Sequence, residues 1–138
     1  MWSTEYDIET EAPAERIWEA WEDVASWPAW NGDLERAELS GAFAPGSTIT
    51  MHSPEQDPIE LRIVQAERPS VFVDRADLGD IAVTTTHRTE RLADGRTRIV
   101  YAMEISGPAA DTVGPELGPA ISDDFPQVLA ALVRRAEG

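Results

Sequence analysis

His87 and Tyr101 are the two side chains of this sequence best suited to proton chemistry. A histidine can exchange a proton near neutral pH, and a tyrosine can hydrogen-bond a carbonyl group or polarise an enol. Proton abstraction beside a carbonyl and the loss of water both need such groups in a dry cavity. The structural alternative is a satisfied core pair, because buried polar atoms must find partners and these two could bond each other.

A predicted hairpin from Ile81 to Ile105 would bring these two residues together. The loop Ala93-Asp94-Gly95, with its glycine in the left-handed conformation, is a common hairpin closure. It places His87 opposite Tyr101, on a largely apolar face that also holds Thr85. The second face then collects the charges of this stretch, which are Arg88, Glu90, Arg98 and Glu104. This segregation supports the register, because a slip by one residue would mix the two faces.

Other residues offer weaker chemistry. His52 alternates with Met51 near a strand end and is expected at the surface. With two histidines, no cysteine and no zinc or calcium spacing, the sequence predicts neither a metal site nor a cofactor. No lysine or activated-serine motif supports covalent catalysis. Arg62 could form an internal charge pair with Asp74 or anchor a ligand carboxylate, but we expect solvated charges on an outer face.

Tryptophans gather early in the chain, at positions 18, 21, 27 and 30. They could stack on a flat ligand, although tryptophans at helical spacing are more often core residues. We take Trp27 and Trp30 as candidates for a pocket mouth. The full set of candidate ligand-lining residues is Trp27, Trp30, Met51, Thr85, His87, Tyr101, Met103, Ile121, Phe125 and Leu129.

Composition narrows the class of protein. The chain has 138 residues, which fits a single domain over 1–138, and a net charge of −15 that repels phosphate backbones and anionic membranes. No apolar run approaches the roughly 18 residues of a membrane helix. The acidic, alternating N-terminus is wrong for a signal peptide, and with no cysteine present we expect a cytoplasmic protein.

Period-two patterns predict a strand over Trp2–Thr10 and six more after Gly32, separated by turn-type clusters. The six are Leu34–Leu39, Ser47–Ser53, Ile59–Glu67, Val71–Asp74, Ile81–Arg91 and Arg96–Ile105. A helix is predicted between Ala12 and Val24, with a short second helix or turn around Pro28. Adjacent strands with helices segregated at the ends indicate an α+β fold with an antiparallel sheet.

The stretch Asp111–Glu137 is predicted to be a long helix over which a curved sheet closes. From Phe125 onward its apolar residues follow the spacing of a helix with one buried face, and two arginines occupy its last turn. Pro126 either follows a new cap at Asp123 or Asp124, or kinks a continuous helix.

Three segments carry a family resemblance: "APAERIWEAWEDVASWPAWN", the hairpin "DGRTRIVYAMEISGP" and the ending "DDFPQVLAALVRRAE". Together with the order of elements they resemble the START-like, or Bet v 1-like, superfamily and its polyketide cyclase/dehydrase-like branch. The resemblance implies a helix-grip fold, in which a seven-stranded antiparallel sheet wraps the C-terminal helix around a cavity for a hydrophobic ligand. Members include aromatase/cyclases, lipid carriers and ligand-binding proteins, so the fold alone does not select a function.

Three functions remain open at this stage. The first is a cytoplasmic module, monomer or homodimer, that binds a hydrophobic or aromatic small molecule between sheet and helix. The second is a polyketide cyclase, aromatase or dehydratase with His87 and Tyr101 as acid/base or orienting groups. The third is an interaction module with a protein partner, which a large exposed apolar patch without a cavity would favour. The short inward polar cluster of Thr85, His87 and Tyr101 favours binding.

Overall fold

Seven strands form one antiparallel sheet in the order β1-β7-β6-β5-β4-β3-β2 in the computed structural model, which describes residues 1–138. The strands are β1 (Trp2–Thr10), β2 (Arg36–Ser40), β3 (Thr48–His52), β4 (Ile59–Glu67), β5 (Val71–Asp77), β6 (Ala82–Arg91) and β7 (Thr97–Ser106). Between β1 and β2 lie helix α1 (Ala14–Glu22) and a 3-10 helix (Val24–Ala29), and the chain ends with α2 (Ala110–Ser122) and α3 (Phe125–Glu137). This is the α+β fold that the sequence patterns predict and the helix-grip architecture that the family resemblance implies.

The hairpin of β6 and β7 has the predicted register. His87 pairs with Tyr101, and the amide of Leu92 donates to the carbonyl of Arg96 across the loop at 2.8 Å. Gly95 adopts a φ of 87°, the left-handed conformation that the loop requires. The charged face of the hairpin lies on the outer side of the sheet, and the His87 face lies inside.

Strand β5 differs most from expectation. The sequence predicts that it ends at Asp74, but it continues to Asp77, with Phe72 paired to His87 and Asp74 paired to Thr85. Side chains two residues apart point to the same side of a strand, so Phe72, Asp74 and Ala76 share the inner face. The expectation that Asp74 is a solvated outer-face charge is therefore wrong, because Asp74 lies on the same face as the buried Phe72 and is itself buried.

The C-terminal segment is interrupted at Asp123 and Asp124, so the alternative of a new helix before Pro126 is confirmed. Asp124 occupies the cap position of α3 without a side-chain capping bond, and Pro126 falls in the first turn, where its missing N–H is not needed. Helix α3 packs on β1 and α1, and its Leu129 and Leu132 are fully buried.

Helix α2 packs on β1 and β7 through its smallest residues. Its buried positions are Ala110, Gly114, Gly118 and Ser122. A Cβ added at Gly114 or Gly118 would overlap the Trp2 ring, so the two glycines let the indole lie against the helix backbone. The neighbouring stripe of Val113, Leu117 and Ile121 is only half-buried, which leaves an apolar surface beside the sheet.

Candidate functional site

His87 and Tyr101 lie side by side on the inner face of the sheet, and both are buried. Their rings meet edge to face with centroids 4.6 Å apart. They do not bond each other, because His87 Nδ1 donates to the carbonyl of Phe72 at 3.2 Å and Tyr101 Oη accepts from Trp21 Nε1 at 3.0 Å. The alternative of a mutually bonded core pair is therefore wrong.

The protonation state of His87 follows from these contacts. A carbonyl only accepts, so Nδ1 carries the proton of the neutral ring and Nε2 presents a lone pair that has no protein partner. Burial lowers the pKa of His87 to about 3, against the opposing effect of the Phe72 hydrogen bond. The ring stacks on Phe72 at 3.9 Å, which fixes its plane. His87 is thus a fixed hydrogen-bond acceptor near neutral pH and a poor base.

Tyr101 is a fixed hydrogen-bond donor. Burial raises the pKa of Tyr101, the Trp21 hydrogen bond lowers it, and the nearby charge of Asp74 raises it further. The phenol therefore stays protonated at neutral pH. Since its oxygen already accepts from Trp21 Nε1, its own proton remains available for a ligand oxygen.

Asp74 is a functional candidate that the sequence analysis weighed only beside Arg62 and expected on the outer face. Its side chain lies on the inner face with 4% of the residue exposed, and it makes no hydrogen bond or ion pair. Burial raises the pKa of this carboxyl to about 7, so proton uptake and release both fall near neutral pH. A signal was available in the sequence. Asp74 lies two residues after Phe72 in the same strand, so an inward Phe72 places Asp74 on the inner face as well.

No cation balances Asp74. The chain has no lysine, and none of its arginines is buried. Arg62, its suggested partner, is exposed and lies 4.0 Å from Asp77 Oδ2 on the outer side of the sheet. The internal Arg62–Asp74 pair that the sequence left open is therefore excluded.

Aromatic rings surround this polar group. Trp21 lies 5.3 Å from Phe72 and 5.9 Å from His87, both edge to face. Phe43 packs on Phe72 at 5.0 Å. Trp27 donates to the carbonyl of Trp21 at 3.0 Å. The tryptophans of α1 and the 3-10 helix thus act first as core, as the sequence favoured.

The remaining candidate lining residues divide by exposure. Met51, Thr85, Ile121 and Phe125 are half-buried, whereas Trp27, Trp30, Met103 and Leu129 are buried. The Phe125 ring meets the rings of Tyr6 at 5.9 Å and Tyr101 at 5.8 Å, so the half-buried stripe of α2 continues onto the inner face. Trp30 is buried with its Nε1 unpartnered.

Other parts of the molecule offer less chemistry. His52 lies at the surface and bonds Glu38 Oε1 at 2.8 Å, as expected. A groove of about 560 Å³ runs over the outer face of β1, β7 and β6, and a depression of about 170 Å³ separates α1 from α3. No group of three or more His, Asp or Glu side chains is placed to hold a metal ion. The helices are all too short or too polar to cross a bilayer.

Several solved structures share this architecture. An aromatase/cyclase (Zhui) from Streptomyces sp. R1128 superposes with a TM-score of 0.79 at 19% identity, covering 98% of this chain and 93% of that one. A START superfamily protein from Mycobacterium smegmatis gives 0.75 at 15% identity, with 98% and 97% covered. Truncated norcoclaurine synthase from Thalictrum flavum gives 0.74 at 14% identity, with 96% and 91% covered. At these identities the likeness establishes the fold.

Sequence comparison gives the family. No curated protein sequence matches the chain significantly. The family described as "Polyketide cyclase / dehydrase and lipid transport" matches residues 1–137, almost the whole chain. This protein therefore belongs to the polyketide cyclase/dehydrase and lipid transport family.

Proposed function

We propose that this protein binds a hydrophobic or aromatic small molecule between the inner face of the sheet and the helices α2 and α3. One observation carries the proposal: Asp74 and His87 are largely buried residues of that face, yet the Asp74 carboxyl and His87 Nε2 have no protein hydrogen-bond partner and keep a small accessible surface from which a ligand can be reached. Buried polar groups in native proteins are nearly always hydrogen-bonded, and leaving one unpaired costs about 1–3 kcal/mol. A ligand with suitable polar atoms would supply the missing partners.

The apolar part of the proposed site comes from α2 and the residue that follows its end. Val113, Leu117, Ile121 and Phe125 are half-buried and follow one another at four-residue spacing. Pro115 and Pro119 each lack the N–H that would close a helical hydrogen bond, so α2 is held less firmly by its own backbone. A helix with this composition can shift to admit a ligand at low cost.

A neutral fluorescent dye, N-phenyl-1-naphthylamine, tests this binding function directly. We expect its emission to rise on addition of the protein, and we expect Ile121→Ser to weaken its binding because the substitution removes apolar surface from the site. Ala120→Ser is the matched control, since it places the same side chain at an exposed position of the same helix. Equal affinity of the two variants and the wild type would place the dye elsewhere and contradict the proposed site.

A second candidate function is catalysis of proton transfer beside a carbonyl, as in a cyclase or dehydratase. The observation that favours it is the pairing of a free Tyr101 proton with a nearby Asp74 whose pKa of about 7 lets it take up and return a proton. Tyr101 would hydrogen-bond the carbonyl oxygen while the Asp74 carboxylate removes the α-proton. This leaves an enolate on the substrate and a protonated Asp74, which exchanges its proton with solvent and then protonates the α-carbon. His87, with a pKa of about 3, would orient the substrate and not act as the base.

Solvent exchange provides the test of this second function. In D₂O, β-tetralone should gain deuterium at its α-carbon faster with the wild-type protein than with Asp74→Asn, and NMR follows the loss of the α-proton signal. Asp77→Asn is the control, because Asp77 is an exposed carboxylate on the same strand. Exchange at the buffer rate with all three proteins would contradict the catalytic candidate and leave the binding function untouched.

We further propose that the chain works as one cytoplasmic domain, as a monomer or homodimer, without a nucleic-acid partner. The net charge of −15 supports the last point, because a protein this acidic repels a phosphate backbone. Sedimentation equilibrium measures the oligomeric state, and a filter-binding assay with duplex DNA checks the absence of nucleic-acid binding.

A further inference from the structure

Among the polar side chains of the inner face, the charge is negative and no positive charge balances it. Asp74 is the carboxylate there, while His87 is neutral and Tyr101 is protonated near neutral pH. At the junction of α2 and α3, Asp124 approaches Asp33 of the loop after the 3-10 helix. Burial, together with the hydrogen bond and negative charge of Asp33, raises the pKa of Asp124 to about 6. Next to Asp124 in the chain, Phe125 reaches the ring of Tyr101.

Building on the binding function above, we propose that the ligand is an aromatic amine, bound as a cation with its ammonium group on Asp74. An ammonium group supplies the positive charge that no protein side chain provides near Asp74. It also brings N–H donors for a carboxylate that accepts no hydrogen bond from the protein. His87 Nε2 adds a second acceptor, since the Phe72 carbonyl holds the imidazole proton on Nδ1. The faces of nearby aromatic rings also attract cations.

The same features discriminate against other ligand charges. An anionic ligand, such as a fatty acid, would bring a second negative charge beside Asp74, and no buried arginine is present to balance it. A neutral ligand would gain no ion pair. The net charge of −15 also raises the local concentration of cations around the protein and steers them towards it.

Three probes with the same indole ring separate these cases: tryptamine is a cation, tryptophol is neutral and indole-3-propionate is an anion. Isothermal titration calorimetry near pH 8 should show tryptamine binding roughly tenfold or more tightly than tryptophol, and the anion binding most weakly. Asp74→Asn should remove the preference for tryptamine. Asp77→Asn should keep it, because Asp77 is exposed and paired with Arg75 on the outer face.

The pH dependence on the wild-type protein needs no variant. Tryptamine stays protonated throughout, so its affinity follows the ionised fraction of Asp74 and should fall about tenfold from about pH 8 to about pH 6. Burial and the neighbouring Asp33 raise the pKa of Asp124 to about 6, which lies in this range, and Asp124→Asn checks that Asp124 does not cause the change. His87 stays neutral, and Tyr101 keeps its proton across the range.

Each outcome decides the proposal. A preference for tryptamine that rises with pH and disappears in Asp74→Asn supports it. Equal affinities for the three probes, or a preference that survives in Asp74→Asn, overturns it. If N-phenyl-1-naphthylamine binds the inner face while no indole probe does, the amine proposal fails alone. If neither the dye nor any indole probe binds, the underlying binding function fails as well.

Discussion

The two faces of the sheet treat charge in opposite ways. On the outer face, Arg98 contacts Asp7 at 2.8 Å and Glu90 at 2.9 Å, and Arg88 contacts Glu90 at 3.2 Å. On the inner face, the buried Asp74 lies opposite Thr85 and makes no ion pair. The outer charges have partners although they are exposed to water, whereas the Asp74 carboxyl has no protein partner although its residue is only 4% exposed.

This difference indicates which charges serve stability and which serve function. Exposed ion pairs contribute little to stability because water and salt already screen their charges. A buried carboxyl without a partner destabilises the fold when it ionises, so its presence needs a reason outside folding. We infer that Asp74 is retained for a ligand.

The largest effect is expected from the apolar core that closes over the inner face. Leu129 of α3 is 1% exposed, and Leu129→Ala should lower the free energy of unfolding by about 2–5 kcal/mol through lost burial and a cavity. Urea denaturation followed by tryptophan fluorescence measures it, with Ala131→Gly on the same helix as a control for helix propensity. A change near zero would show that α3 does not close the core.

The next effect concerns Asp74 and depends on pH. The pKa of its carboxyl is 3.8 in the unfolded chain and about 7 when buried, so the folded state binds a proton more tightly than the unfolded state. The stability associated with this group is complete below its unfolded pKa and is lost as pH rises through the folded value. The free energy of unfolding of Asp74→Asn, measured relative to wild type, should therefore rise by up to roughly 4 kcal/mol between about pH 4 and about pH 7.

His87 makes the same experiment sharper. Burial lowers the pKa of His87 from 6.5 to about 3, so the stability associated with this group is lost as pH falls below 6.5. The contributions of Asp74 and His87 therefore offset one another in the wild-type protein between about pH 4 and about pH 6.5. Asp74→Asn should expose the His87 slope, and urea denaturation across that range measures it. A difference from wild type that does not vary with pH would mean that Asp74 is solvated.

A smaller effect is expected at the Trp21–Tyr101 hydrogen bond. Tyr101→Phe would leave the buried Trp21 Nε1 without an acceptor and should cost about 1–3 kcal/mol of unfolding free energy. Tyr6→Phe is the matched control, because Tyr6 is half-buried and its hydroxyl makes no hydrogen bond. Thermal denaturation of both variants measures the difference. Equal stability would indicate that water takes the place of the Tyr101 oxygen.

The smallest effect is expected on the outer face. Arg98→Gln breaks the contacts with Asp7 and Glu90, but these groups remain hydrated. The variant should differ little from wild type at low salt. Any difference should vanish near about 1 M NaCl, where charges are screened within roughly 3 Å. A large loss of stability that persists at high salt would contradict the contrast between the two faces.

Local sequence signals predicted the strands well, because their determinants lie within a few residues. The alternation of Trp2–Thr10 gave the bounds of β1 without error. The loop closed by Gly95 was enough to predict the register of β6 and β7, and so the meeting of His87 and Tyr101. The break before Pro126 was also anticipated, although the sequence alone left a kink as the alternative.

The polar centre of the site depends on distant contacts and was harder to predict. The end of β5 was placed at Asp74 because its apolar run stops there, but pairing with β6 extends it to Asp77 and buries the Asp74 carboxyl within the sheet. The hydrogen bond from Trp21 to Tyr101 spans 80 positions and left no local trace. The lining role of the ten candidate residues remains a prediction.

The most direct test of the central claim is an NMR titration of the Asp74 side-chain carboxyl carbon in the ligand-free protein. Asp74→Asn supplies the signal assignment by difference. We expect a midpoint of about 7, because burial without a cationic partner penalises the ionised form. A midpoint near 3.8, the ordinary value for aspartate, would show that the carboxyl is solvated or paired, and that the inner face holds no unmatched charge for a ligand.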